Sequence, residues 1–266
     1  MIKAKKSLGQ NFLKDTSIID EIISASGANE ETDVIEIGPG KGAVTEPLLE
    51  VAKSLTAIEI DDRLYGYLEN KFGNYPNFRL IKQDVLKTDI TPLITDNTIV
   101  VANLPYYITT PIITSLIENR YNLKSMTVMV QLEVAKRICA NEGSKDYGAI
   151  SVLCNYFCDT KIITEVSPRC FDPVPKVTSA VVRLDFLPEP KVKPIDEKMF
   201  FRVVKTAFSA RRKTFVNCLM NNFSLDRKEA EDILIKSDIP LMARGETFSL
   251  ENFKNISDLM INLKKS

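Results

Sequence analysis

Asn103-Leu-Pro-Tyr106 follows the apolar run Val100-Val-Ala, which sets a carboxamide, a proline carbonyl and an aromatic ring just past the end of a strand. That grouping suits chemistry on an exocyclic amine. The lone pair of such an amine is delocalised into its ring. It turns outward when Asn103 Oδ1 and a main-chain carbonyl accept the two N–H bonds and draw the nitrogen toward tetrahedral. Tyr106 stacks on the heterocycle, a contact worth ~1–3 kcal/mol per base. No general base is required, which matters because the chain has no histidine and so lacks the commonest proton carrier. Hydrolases built on Ser-His-Asp or Cys-His pairs are excluded.

A second constellation lies upstream. Val34-Ile-Glu-Ile-Gly38-Pro-Gly40-Lys-Gly42-Ala43 runs from an apolar strand toward a helix, with glycines where the backbone must turn tightly and approach a ligand. Glu59 ends the next strand and is placed to take ribose hydroxyls; Asp84 follows the third, where a carboxylate accepts from an adenine amino group. Acids at successive strand ends make a nucleotide-cofactor cradle. The loop alone admits a dinucleotide, with its pyrophosphate on a helix N-terminus, or S-adenosyl-L-methionine, which has no phosphate. The tetrapeptide after the fourth strand decides for the methyl donor.

These residues need a sheet to hold them. Apolar β-branched runs at 33–37, 54–60, 78–82, 98–102 and 125–131 alternate with helix-period segments at 43–52, 62–72, 111–118 and 132–140. This is the pattern of an α/β fold with a mostly parallel central sheet. A helix at 149–158 and strands at 161–166 and 177–186, joined by the proline-rich 167–176, are expected to finish that sheet with an antiparallel pair. Pro188, Pro190 and Pro194 then break the pattern. Two domains are expected, 1–187 around the cofactor and a small all-α domain at 188–266 with helices near 195–208, 211–222, 226–236 and 249–263.

Composition narrows the partners. The 266 residues carry 35 basic and 35 acidic side chains, so a polyanion must meet a local basic patch rather than a global field. Residues 188–266 hold 15 basic and 11 acidic side chains, net +4. Arg202, Lys205, Arg211, Arg212 and Lys213 cluster there without an acid and are the candidate phosphate contacts. The interleaved Phe200, Phe201, Phe208 and Phe215 fit core positions better than base platforms. Lys3, Lys5 and Lys6 add a basic arm. Five cysteines without a C-x-x-C pattern point to free thiols, with no disulfide framework and no metal site. No run is long enough to span a membrane, so a soluble cytoplasmic protein is expected.

Several motifs in order resemble the ribosomal RNA adenine dimethyltransferases of the small-subunit KsgA/RsmA type, over nearly the whole chain. They are Ser7-Leu-Gly-Gln-Asn-Phe-Leu13, Glu36-Ile-Gly-Pro-Gly-Lys-Gly42, Ala57-Ile-Glu-Ile-Asp61, Gln83-Asp84, Asn103-Leu-Pro-Tyr-Tyr107 and Phe171-Asp-Pro-Val-Pro-Lys-Val177. Ser179-Ala-Val-Val-Arg183, Ala207-Phe-Ser-Ala-Arg-Arg-Lys-Thr214 and Arg244-Gly-Glu follow. The resemblance implies a Rossmann-like class I methyltransferase. Such an enzyme converts two adjacent adenosines in the 3′-terminal hairpin loop of 16S rRNA, in the small ribosomal subunit or its precursor, to N6,N6-dimethyladenosine.

It also implies roles at matching positions. Asn11 and Leu13 close over the cofactor, Gly38 and Gly40 line its methionine end, Glu59 holds the ribose and Asp84 the adenine. Asn103, Leu104, Pro105 and Tyr106 form the transfer point, and Phe171 sandwiches the target base against Tyr106. A monomer is expected. Leu132, where many relatives carry Lys, and Asp172 depart from the pattern outside the transfer point. The large-subunit (23S) methylases of macrolide resistance rank second, since they typically carry Ile where Leu104 stands. A nonenzymatic assembly factor on the same fold is a further alternative, and a nicotinamide oxidoreductase is disfavoured by the missing histidine.

Overall fold

A computed structural model describes residues 2–5, 8–119, 121–210 and 212–263. In chain order its elements are β1 (Phe12–Leu13), α1 (Thr16–Ser26), β2 (Asp33–Ile37), α2 (Thr45–Val51), β3 (Ser54–Glu59), α3 (Asp62–Phe72) and β4 (Phe78–Lys82). They continue with β5 (Thr98–Asn103), α4 (Thr109–Glu118), β6 (Ser125–Gln131), α5 (Leu132–Ile138), α6 (Ala149–Phe157), β7 (Cys158–Val166), β8 (Phe171–Asp172) and β9 (Ser179–Phe186). Helices α7 (Glu197–Ala207), α8 (Phe215–Phe223), α9 (Arg227–Lys236) and α10 (Leu250–Leu263) close the chain.

Seven strands form one sheet in the order β4-β3-β2-β5-β6-β9-β7. The first five run parallel, and β9 is antiparallel to β6. Every residue of β2 is buried, as a strand covered on both faces requires. Edge strand β4 is half-exposed. The strand order turns outward in both directions from β2 and β5, so the crevice beyond their C-terminal ends is the ligand position of such a sheet. The glycine loop leaves β2 there, and Asn103 is the last residue of β5, one residue beyond the expected strand end. An alanine Cβ built at Gly38, where φ is +69°, would lie 3.7 Å from the Asn103 carbonyl oxygen.

Gly42 has a different constraint. Its φ is +79°, and a Cβ there would come within 2.4 Å of Phe72 Cε2 on α3. Gly42→Ala is therefore expected to destabilise the fold by about 2 kcal/mol, combining backbone strain and overpacking. A matching drop in urea unfolding free energy checks this.

Three elements, α1, β1 and β8, lie outside the expected pattern. Helix α1 has the signals of a helix: Asp15 caps Ser17 N at 3.1 Å, Ile18 and Ile22 are buried, and Gly27 ends it at φ +68°. It packs on β5, β6 and β9. The two-residue strands β1 and β8 pair antiparallel, with Phe12 opposite Asp172 and Leu13 opposite Phe171.

The chain divides into two compact units, residues 1–136 with 159–186, and residues 137–158 with 187–266. The later boundary falls at Phe186/Leu187, beside the expected proline break. The segment 137–158, expected with the sheet, instead belongs to the helical unit. Its reason is apolar: Tyr147, Val152 and Tyr156 are buried in one core with Phe200, Val203, Phe215, Leu219, Phe248 and Phe253. Phe200 and Phe215 are wholly buried there and Phe201 and Phe208 pack against it, so all four are core residues. The five cysteines form no disulfide. Among the described residues no helix is long and apolar enough to cross a membrane.

Candidate active site

A cavity of about 260 Å³ opens at the C-terminal ends of β2, β3 and β5. Gly38, Gly40, Glu59, Asp84, Asn103, Leu104, Pro105 and Tyr106 line it, together with Asn11 and Leu13. The expected glycines, acids and tetrapeptide therefore share one space.

The carboxylates differ in their setting. Glu59 is 4% exposed, and its Oε1 accepts from the main-chain N–H of Ile60 at 2.9 Å and of Asp61 at 2.8 Å. Burial raises its pKa, and backbone N–H groups of Asp61, Gly40 and Ile60 oppose the rise. Asp84 caps the short turn after β4 by accepting from Leu86 N at 3.1 Å, and it also lines the cavity. Glu36, in the middle of β2, was missed from sequence although it lines the same space. It is 3% exposed, accepts from Thr45 Oγ1 at 2.7 Å, and is pushed up to about 8, chiefly by burial, with Glu59 adding to the rise. An acid inside an apolar strand was the available signal.

This donor set tests the cofactor. Three acids and, among the described lining residues, a single cation face the cavity, and that cation, Lys41, holds its Nζ 4.4 Å over the Phe12 ring. Helix α2 has only seven residues. With Glu36 held largely protonated by burial below about pH 8, Glu59 and Asp84 supply the acceptors of the wall, which suit ribose hydroxyls, an ammonium and a sulfonium better than a pyrophosphate.

Asn103 turns its Nδ2 to the Asn11 carbonyl oxygen at 3.4 Å, and its Oδ1 accepts no hydrogen bond among the described residues. The Pro105 carbonyl, expected to face an amine, is committed instead: it accepts from Ile108 N at 3.2 Å and Thr109 Oγ1 at 3.0 Å because the tetrapeptide folds into the turn that starts α4. The Leu104 carbonyl is the acceptor that remains unpaired among the described residues, while Leu104 N donates to the Met129 oxygen at 3.1 Å. Tyr106 Oη and Ser179 Oγ lie 2.8 Å apart, which pins the ring; burial raises the phenol pKa.

Phe171 does not reach this space. It is 1% exposed and packs in the sheet core with Leu13, Ile18 and Val166, and it is absent from the cavity wall. Its pairing opposite Leu13 makes it the anchor of the N-terminal segment, and the expected base sandwich with Tyr106 is not formed.

That segment, residues 8–13, is tied over the cavity by a network also missed from sequence. Gln10 Nε2 donates to Asp61 Oδ2 at 2.9 Å, and Arg63 pairs with the same carboxylate at 2.5 Å. The Arg63 guanidinium holds Asp61 well below the usual carboxylate range, with Gln10 contributing. Partners 51 residues apart leave no local spacing to read.

In the helical unit, Arg202 and Lys205 line a separate open cavity of about 540 Å³ with Ser209 and Asn222. Arg202 donates to the Asn222 oxygen at 3.3 Å and stacks 4.2 Å from the Phe223 ring. Arg212 and Lys213 are exposed. None of these four is ion-paired among the described residues. Arg211 and Lys6 lie outside the described residues.

A sequence profile described as ribosomal RNA adenine dimethylase matches residues 1–255. The chain belongs to the ribosomal RNA adenine dimethylase family. It is 45% identical over 263 residues to Ribosomal RNA small subunit methyltransferase A of Clostridium botulinum, covering 98% of this chain and 95% of the relative. Identity to the protein of the same name from Clostridium perfringens is 48% over 255 residues, 95% and 89% of the two chains. Among solved structures, a dimethyladenosine transferase from Plasmodium falciparum superposes with a TM-score of 0.79 at 26% identity, over 96% of this chain and 98% of that one. The 23S rRNA methyltransferase ErmE superposes with a TM-score of 0.71 at 26% identity, over 93% and 98%. The dimethylase family and both solved relatives fit a class I methyltransferase fold, as the sheet order indicates.

Proposed function

We propose that this dimethylase-family chain is an S-adenosylmethionine-dependent enzyme that converts adenosines of small-subunit ribosomal RNA to N6,N6-dimethyladenosine. The observation that carries the reading is the Asn103 carboxamide oxygen, unpaired among the described residues, at the wall of a cavity that also holds Glu59. Identity of 45–48% to small-subunit methyltransferases supports the substrate.

Glu59 would hold ribose hydroxyls, Asp84 the adenine amino group, and the Gly38–Gly40 turn the methionine end, under the segment carrying Asn11 and Leu13. When bound, S-adenosylmethionine supplies a methyl group already activated on a sulfonium. The chain's own work is alignment, which can lower a barrier by ~7–11 kcal/mol in favourable cases. Asn103 Oδ1 and the Leu104 carbonyl accept the two N–H bonds of an extruded adenine, and Tyr106, pinned by Ser179, stacks on its face. The alkylated nitrogen is a strong acid and sheds its proton without a side-chain base. Unpaired loops make extrusion of the base cheapest.

Incubation with labelled S-adenosylmethionine and small ribosomal subunits lacking the modification, followed by RNA digestion, is expected to yield labelled N6,N6-dimethyladenosine. Label in any other nucleoside, or none, overturns the reading. The likeness to a 23S rRNA methyltransferase supplies a second reading, and label transferred to large-subunit RNA alone would favour it.

Arg202, Lys205, Arg211, Arg212 and Lys213 are proposed as phosphate contacts. Combined Arg212→Ala and Lys213→Ala is expected to weaken RNA binding and shrink the slope of log K against log salt by about 1–2, since each phosphate contact contributes ~0.7–0.9, with cofactor affinity unchanged. Salt titrations with an unaltered slope would remove the role. Gln10→Ala is expected to weaken S-adenosylmethionine binding about tenfold, the size of one hydrogen bond to a charged acceptor. Calorimetric titration reads this directly.

A further inference from the structure

Tyr107 is 59% exposed at the edge of the cavity it helps to line. One side of its ring rests on Gly9, where a Cβ would approach Cδ1 to 3.3 Å and Cε1 to 3.4 Å. The φ of +60° at Gly9 and the missing side chain together leave room for the ring. The contrast with its neighbour is plain. Tyr106 is tied through its hydroxyl to Ser179, whereas the Tyr107 hydroxyl has no hydrogen-bond partner among the described residues. Tyr107 therefore presents an open aromatic surface, held in place from behind, next to the Asn103–Tyr106 turn.

We propose that Tyr107 is a stacking platform for a nucleobase flanking the extruded adenine in the RNA substrate. The inference rests on the RNA methyltransferase reading and deepens it by assigning a second base subsite outside the transfer point. A ring with an exposed face stacks on any nucleobase, so the contact adds affinity and strand register without base identity. It also fills a need the fold leaves open, since Phe171 is buried and gives the substrate no surface. The plain alternative is a packing residue that only props Gly9 and the segment over the cofactor. That role predicts a loss in cofactor affinity rather than in RNA affinity.

The test is a cycle between side chain and nucleobase. An RNA hairpin carrying unpaired adjacent adenosines is compared with versions abasic on the 5′ or the 3′ side of the target, by fluorescence anisotropy at fixed salt, for the full-length wild type, Tyr107→Ala and Tyr107→Phe. S-adenosylmethionine affinity is measured for all three by calorimetry, and wild-type methyl transfer to small subunits is measured in parallel. Tyr107→Ala is expected to weaken RNA binding about tenfold and leave cofactor affinity within twofold, with Tyr107→Phe matching the wild type. One abasic substitution should weaken the wild type about tenfold and Tyr107→Ala not at all. If the two losses multiply, or if the alanine effect falls on the cofactor, the inference is overturned while the methyltransferase reading stands. If the wild type transfers no methyl group, both fall together.

Discussion

Asn103→Ala is expected to lower kcat by on the order of 10²–10³, the loss seen when one preorganised hydrogen-bonding group is removed from a reacting centre. Its Oδ1 has no partner among the described residues, so offering it to an amine breaks no hydrogen bond within the described protein. Its Nδ2 contact to Asn11 is long at 3.4 Å and adds little to stability. The cradle acids Glu59 and Asp84 come from other strands and stay in place, so S-adenosylmethionine affinity should change by less than tenfold. Single-turnover methyl transfer with saturating RNA separates the two effects. A variant retaining kcat within tenfold of wild type would remove the carboxamide from the chemistry and leave the Leu104 carbonyl as the only acceptor.

Legibility from sequence followed the range of the interactions. Strands β2, β4 and β6 end in the structure where they were expected to end, since each is a short run built around apolar residues. The cavity residues Gly38, Glu59, Asp84 and Asn103 were readable because a parallel sheet delivers strand ends to one edge, so position in the chain already implies position in space. Helix α1 was legible in the repeat of Ile18, Ile19, Ile22 and Ile23 between Asp15 and Gly27 and was overlooked. The tie of residues 8–13 over the cavity was not legible, because Gln10 with Asp61, and Leu13 with Phe171, meet across 51 and 158 residues. Phe171 shows the cost of carrying a role over by motif: the aromatic is present, but two-residue pairing with β1 turns it into the core. At Pro105 the misreading was local, since a proline carbonyl that closes a turn is consumed by the turn.

Glu36 carries the largest expected effect on stability. In the unfolded chain it has the ordinary carboxylate pKa near 4.5, and burial in the folded protein pushes it up to about 8. Between those values the native state keeps a proton that the unfolded chain has released. Stability therefore falls as pH rises through the window, at about 1.4 kcal/mol per unit, and levels off above about 8. The total is on the order of 5 kcal/mol. The window is unusually clean because the chain has no histidine; Glu59, also raised by burial, adds a slope of the same sign. Glu36→Gln keeps an oxygen for Thr45 Oγ1 and cannot ionise. It should come closest to the wild type near pH 5, exceed it by several kcal/mol at pH 8, and retain a residual slope of the same sign from Glu59. Urea unfolding at intervals from pH 5 to 8.5 reads both curves. Parallel curves would mean that Glu36 ionises in the folded protein without penalty, and then the cavity floor carries a full negative charge beside Glu59 rather than a neutral acid.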